Sequence, residues 1–91
     1  MRMLSADVLA GEAAPLTELG AAEVGTWEMA PGTDQDTEVD EVFVVLAGRG
    51  TVTFEDGEVI DLAPGVAVRL TAGERTTWVV TETLRKVYVA V

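Results

Sequence analysis

The chain has 91 residues, 48% of them hydrophobic, and a formal net charge of −10. A chain this short forms one domain, and its charge argues against nucleic acid and anionic membranes as partners, because both require a basic footprint. It contains no cysteine and no histidine, which removes disulfides, thiolate chemistry, the commonest general base and the commonest transition-metal ligand. Carboxylates, Arg, Thr, the single tyrosine Tyr88 and the backbone are left to supply any chemistry. The hydrophobic fraction is high for so small a core, so part of the surface is expected to be covered by a second copy in a homodimer.

Residues 1–16, "MRMLSADVLAGEAAPL", hold no apolar run of signal-peptide length and no membrane span. A cytoplasmic location is expected. Residues 1–22 read as an N-terminal arm or edge strand, and 23–91 as the body of the domain. The stretch 11–19 has room for a helical turn, which Pro15 and its shortness disfavour. Beyond it, short β-branched and aromatic runs alternate with turn residues, the pattern of an all-β sandwich or barrel. Strands are predicted over 23–29, 41–47, 50–55, 58–62, 66–70, 76–82 and 84–90.

Between 23–29 and 41–47 lies "GTDQDTEVDE", with Asp34, Asp36, Glu38, Asp40 and Glu41 crowded against an apolar run. Strand 41–47 is apolar on both faces, so it is expected to be central and covered on both sides. Alternation places Glu41 with Phe43 and Val45. If that face is interior, Glu41 points into the barrel. Gly48-Arg49-Gly50 reads as a turn. Asp56-Gly57 reads as a type I′ hairpin, which needs positive φ at both residues. Arg69 should face away from Val68 and Leu70, and Trp78 and Val80 should share the face of Thr76. Trp27, Phe43, Phe54 and Trp78 are expected to be core or pocket wall.

The order of these motifs is familiar. Glu41 is followed after six residues by Gly48, then by Asp56-Gly57, Pro64-Gly65, "TAGERTTW" at 71–78 and "LRKVYV" at 84–89. This resembles the cupin superfamily, and within it the small single-domain cupins grouped with the cupin domain of (S)-ureidoglycine aminohydrolase. Trp27 with Pro31-Gly32, Gly73 to Trp78, and Leu84-Arg85-Lys86-Val87-Tyr88 match that pattern, over residues 24 to 91. The resemblance implies a single-domain, double-stranded β-barrel (jelly roll) whose open mouth leads to an interior site.

The departures are as informative. Metal-binding cupins carry His-x-His, four residues and Glu, with a later histidine after Pro-x-Gly. Here the histidine positions fall on Asp34, Asp36 and Thr76, and only Glu41 matches. One reading has Asp34, Asp36, Glu41 and Thr76 holding a hard divalent cation such as Mn²⁺ or Mg²⁺, as oxygen donors suit. An EF-hand loop is excluded, because its sixth and twelfth positions would be Val39 and Val45. The favoured reading is a solvated rim without metal, since crowded carboxylates repel and stay hydrated. Glu41 then needs an interior partner, with Arg69, Arg75 and Tyr88 as candidates.

The expected function is small-molecule binding in the barrel without a His-ligated metal. Glu41, Phe43, Thr76, Trp78, Tyr88, Asp34 and Asp36 are the candidate contacts. The alternative is a metal-dependent aminohydrolase acting on a small ureido compound.

Overall fold

The computed structural model describes residues 14–91, the side chains of Ala14, Pro15, Leu16 and Leu19 excepted. The first part of the expected arm, residues 1–13, lies outside the described residues. The described residues form seven strands: β1 Ala14–Leu19, β2 Ala22–Met29, β3 Gly32–Thr37, β4 Glu41–Phe54, β5 Val59–Leu62, β6 Ala67–Leu70 and β7 Arg75–Ala90. There is no helix among them, and the stretch read as room for a helical turn is extended from Ala14 onward.

Two long antiparallel strands, β4 and β7, pair along their whole length, from Glu41↔Ala90 to Phe54↔Thr76. Straight, the 16 residues of β7 would reach about 50 Å, more than the 39 Å longest dimension of the molecule. They therefore bend, and each half belongs to a different sheet. One sheet runs β1-β2-β7-β4-β6, using residues 84–90 of β7. The other runs β3-β7-β4-β5, using residues 75–80 of β7. Trp78 on the second sheet lies 5.6 Å from Trp27 and 5.6 Å from Phe43 on the first, ring centre to ring centre, so the two inner faces meet. The fold is the all-β, cupin-type barrel that the motif order implied.

The bend explains a correction. Gly48-Arg49-Gly50 is not a turn between two strands but the flexure of β4, where its register with β7 shifts. Gly48 has φ 95°, and a Cβ there would collide with the backbone of Thr83. Likewise, 76–82 and 84–90 are one strand. The Asp56-Gly57 hairpin forms, but not as type I′, because no non-glycine residue has positive φ. Phe54 N–H donates to Glu58 O and Gly57 N–H to Phe54 O, a three-residue loop with Gly57 at φ 93°. This is the alternative loop class for hairpins, with glycine at the left-handed position.

Residues 32–37 were read as loop and are strand β3. Every one of them is exposed. Their strand conformation comes from pairing with β7, Gly32↔Val80 to Thr37↔Arg75, not from their own propensity.

Inside, Phe43, Val45, Val52, Leu62, Leu70 and Leu84 are fully buried. Val68 and Leu70 are buried while Arg69 is exposed and reaches Asp40 at 3.4 Å, as alternation required. Thr76, Trp78 and Val80 share the inner face. Strand 41–47 is central, between β7 and β6, but among the described residues only one of its faces is covered. Val42 and Leu46 remain 42% and 45% exposed on the other.

Two glycines separate backbone strain from steric collision. Gly57→Ala meets nothing within 4 Å and should cost only the left-handed φ, about 1 kcal/mol. Gly48→Ala adds a clash with backbone that cannot rotate away and should cost roughly 3 kcal/mol or more. Urea unfolding of both variants checks this. Equal losses would mean that the flexure is not held at Gly48.

Candidate functional site

Paired residues on neighbouring strands share a face, so the register defines the inner surface in rows. Glu23, Ala90, Glu41 and Leu70 form the row nearest the mouth. Gly25, Tyr88, Phe43 and Val68 form the next, and Trp27, Lys86 and Val45 the third. Gly25 is required by this order, because a Cβ there would lie 2.5 Å from the Tyr88 hydroxyl. From the opposite sheet, Asp34 pairs with Trp78 and Asp36 with Thr76, so both acids lie on the side of the barrel interior.

These rows enclose a cavity of about 280 Å³. Trp27, Trp78, Tyr88 and Lys86 line it, and Glu23, Asp34, Asp36, Glu38 and Glu41 place five carboxylates around it. A larger depression of about 600 Å³ adjoins it at Asp36, which lines both, and is also lined by neighbours such as Thr76 and Thr77. Side chains of adjacent strand residues point to opposite faces, so that depression wraps a sheet end.

Lys86 dominates the cavity. It is the only lysine in the chain and is 5% exposed. Its Nζ donates to Glu41 Oε2 at 2.8 Å. The same Nζ sits 4.9, 4.3 and 4.8 Å from the ring centres of Trp27, Phe43 and Trp78. A desolvated cation over an aromatic face gains about 2 kcal/mol. The carboxylate and the three rings together replace the water that burial removed. The partner of Glu41 is thus Lys86, and not Arg69, Arg75 or Tyr88. Arg69 and Arg75 are exposed on the outside, and the Tyr88 hydroxyl donates to Glu23 at 2.9 Å. Burial, then the nearby Glu23 and Glu41, push the Tyr88 phenol up to about 12, so Tyr88 remains a neutral donor at physiological pH.

Glu38 is the other residue that sequence reasoning left on the rim. It is 8% exposed. Its Oε2 accepts from the Thr76 hydroxyl at 2.5 Å and from Trp78 Nε1 at 3.1 Å. Burial pushes its carboxyl above the ordinary glutamate range, against the lowering by those two donors. Backbone bonds from Glu38 N to Glu74 O and from Gly73 N to Glu38 O fix the chain there.

Of the expected contacts, Glu41, Trp78, Tyr88, Asp34 and Asp36 line the cavity. Phe43 is fully buried beneath it, against Lys86. Thr76 is buried and turned to Glu38. Glu38, Lys86, Glu23, Trp27, Val39 and Ala90 complete the lining. The signal for Lys86 was present, as a solitary lysine whose parity on β7 matches Trp78 and Tyr88.

A divalent metal, which the cupin resemblance raises, does not fit this donor set. Glu41 spends its Oε2 on an ammonium, and Thr76 donates its hydroxyl to Glu38. Among the described residues no three of His, Cys, Asp and Glu converge to hold an ion.

The geometry defines a small cupin-type barrel with an acidic mouth and an aromatic-boxed lysine. The chain belongs to the EutQ-like cupin domain family, whose model matches residues 16–88. It is similar to a Rhizobium leguminosarum bv. viciae protein of unknown function, at 29% identity and a TM-score of 0.79, covering 99% of this chain and 97% of that one. A Thermotoga maritima DUF861 family protein is 30% identical with a TM-score of 0.68, over 72% of this chain and 76% of that one. The Clostridium difficile EutQ protein shares the fold at 22% identity and a TM-score of 0.73, over 86% of this chain, which spans 64% of that protein's length. No curated protein matches the chain. These findings support the cupin superfamily and carry the resemblance to (S)-ureidoglycine aminohydrolase no further.

Removing one charge of the buried pair isolates its role. The Glu41 and Lys86 side chains are 11% and 7% exposed, so Glu41→Gln leaves a buried ammonium without its counter-charge. That should cost about 3 kcal/mol. Adding Lys86→Met should recover most of the loss, because the aromatic box accepts an apolar side chain. A double-mutant cycle by chemical unfolding measures the coupling. Additive losses would mean that the pair is not coupled.

Proposed function

We propose that this protein binds a small molecule in the barrel cavity, without a bound metal, and works as a homodimer. One observation carries the reading. The Lys86 ammonium, bound to Glu41 at 2.8 Å, supplies the positive charge that a metal ion would bring to that glutamate. The cavity beside it keeps about 280 Å³ for a ligand, near the lower end of ligand pockets generally. The five acids leave no place for a strongly anionic ligand.

The homodimer reading rests on the outer face of the first sheet. Val42, Leu46 and Val89 are each more than 40% exposed there, with Val91 at the end of β7 78% exposed. The aliphatic strip ends beside Arg69, which pairs with Val42 and reaches Asp40, and a second copy offers the same strip, as a two-fold interface requires.

The alternative, a metal-dependent aminohydrolase acting on a small ureido compound, is the weaker reading because no ligand set for its metal converges among the described residues. Mass spectrometry of metals in protein purified without chelator decides between the two. The expected result is far less than one equivalent of any divalent ion. A stoichiometric divalent ion would overturn the proposal and promote the enzyme. Light scattering on the same sample should give twice the 9.6 kDa chain mass.

A further inference from the structure

Among the described residues, four strands keep an open edge: β1, β3, β5 and β6. An open edge offers unpaired N–H and C=O groups to any extended chain, and proteins block such edges with shortness, proline, bulges or charge. Three of the four are blocked by their backbone. β1 carries Pro15, with a register shift beside it. β5 and β6 have four residues each. β3 has six residues, all exposed, with no proline and no register shift. Nothing in its backbone keeps a further strand from adding to it.

The ladder with β7 shows which groups of β3 are open. Glu38 N–H donates to Glu74 O at 2.8 Å, one step beyond Thr37↔Arg75 and in the same register. Adjacent residues of an antiparallel strand point their N–H and C=O groups to opposite sides. Residues 32, 34 and 36 therefore bond toward β7, and Thr33, Gln35 and Thr37 point theirs to the open edge. Two of these three N–H groups are already taken. Asp34 Oδ1 accepts from Gln35 N–H at 2.9 Å, and Asp36 Oδ1 from Thr37 N–H at 2.8 Å. Among the described residues neither carboxylate takes part in an ion pair, so both keep their full charge.

We infer that the open edge of β3 is a strand-addition surface for β3 of a second copy, held shut by Asp34 and Asp36. A second copy is the occupant because the edge complements itself. Antiparallel pairing centred on Gln35 sets Thr33 of each copy opposite Thr37 of the other, with every outward group matched. The same pairing sets Asp34 of one copy opposite Asp36 of the other, and like charges directly opposite destabilise a ladder. An incoming carbonyl also finds a carboxylate where it needs an N–H. The two acids thus act as plug and as repulsion, and they turn self-association away from this edge. This goes beyond the small-molecule reading and does not depend on it.

Three double variants at exposed positions separate plug from charge. Each is compared with wild type by light scattering and by amide resonances, from micromolar to millimolar protein. Asp34→Ala/Asp36→Ala removes both elements. At the concentrated end its mass should rise to about twice that of wild type, as for a two-fold assembly, with concentration-dependent amide shifts confined to residues 32–37. Asp34→Asn/Asp36→Asn keeps an acceptor oxygen at each amide and should associate far less. Glu55→Ala/Glu58→Ala removes two acids from the hairpin of the same sheet and should keep the wild-type mass. If the Asp34→Ala/Asp36→Ala protein keeps the wild-type mass and its 32–37 resonances ignore concentration, the inference is overturned. It is equally overturned if either of the other variants associates as strongly, because loss of charge alone would then suffice. The mass of wild type itself tests the dimer on the aliphatic strip, so the two readings fail separately.

Discussion

A single ammonium organises the interior. Lys86 brings a charge into a core of aromatic rings, and its surroundings follow from keeping it there. Glu41 must enter the barrel to balance it, at 2.8 Å. Trp27, Phe43 and Trp78 must present faces and not edges, at 4.3 to 4.9 Å. Burying an ion costs several kcal/mol even after relaxation, so a pair with good geometry in a rigid box is the arrangement that can hold it. The cavity is the space above this box.

The box depends on long-range architecture. Lys86 and Trp78 lie on one strand, β7, but on different sheets. They face each other only because β7 bends over with β4. Gly48 permits that bend by letting the backbone of Thr83 come close. Glu41 starts β4 and Trp27 lies on β2, so four separate stretches of chain meet at one nitrogen. The same economy acts at Gly25, where a missing Cβ makes room for Tyr88. Tyr88 then gives Glu23 a donor at the mouth.

Much of this was legible in the sequence. Strand parity placed Glu41 inward and Arg69 outward, and put Thr76, Trp78 and Val80 on one face, because alternation is a strict consequence of extended backbone. The barrel itself was legible from motif order. What was hidden depended on partners far away in the chain. Residues 32–37 have a loop's composition and become a strand because β7 offers them an edge. Gly48-Arg49-Gly50 has a turn's composition and becomes a flexure because Thr83 packs against it. Glu38 looked like one more rim acid, yet the chain turns it onto Thr76 and Trp78, where burial raises its carboxyl. Lys86 was passed over because a lysine is rarely buried unless paired, and its pairing with Glu41 spans 45 residues.

The absence of histidine takes on a physical meaning in this setting. A glutamate inside a barrel needs a positive neighbour, and here the chain supplies one from its own β7. The most direct test of that account is nuclear magnetic resonance of Lys86, whose signals are unambiguous because the chain has no other lysine. The account predicts ε-methylene protons moved upfield by the three surrounding rings, with Nζ protons that exchange slowly with water. Ordinary solvent-exposed shifts and fast exchange would contradict it.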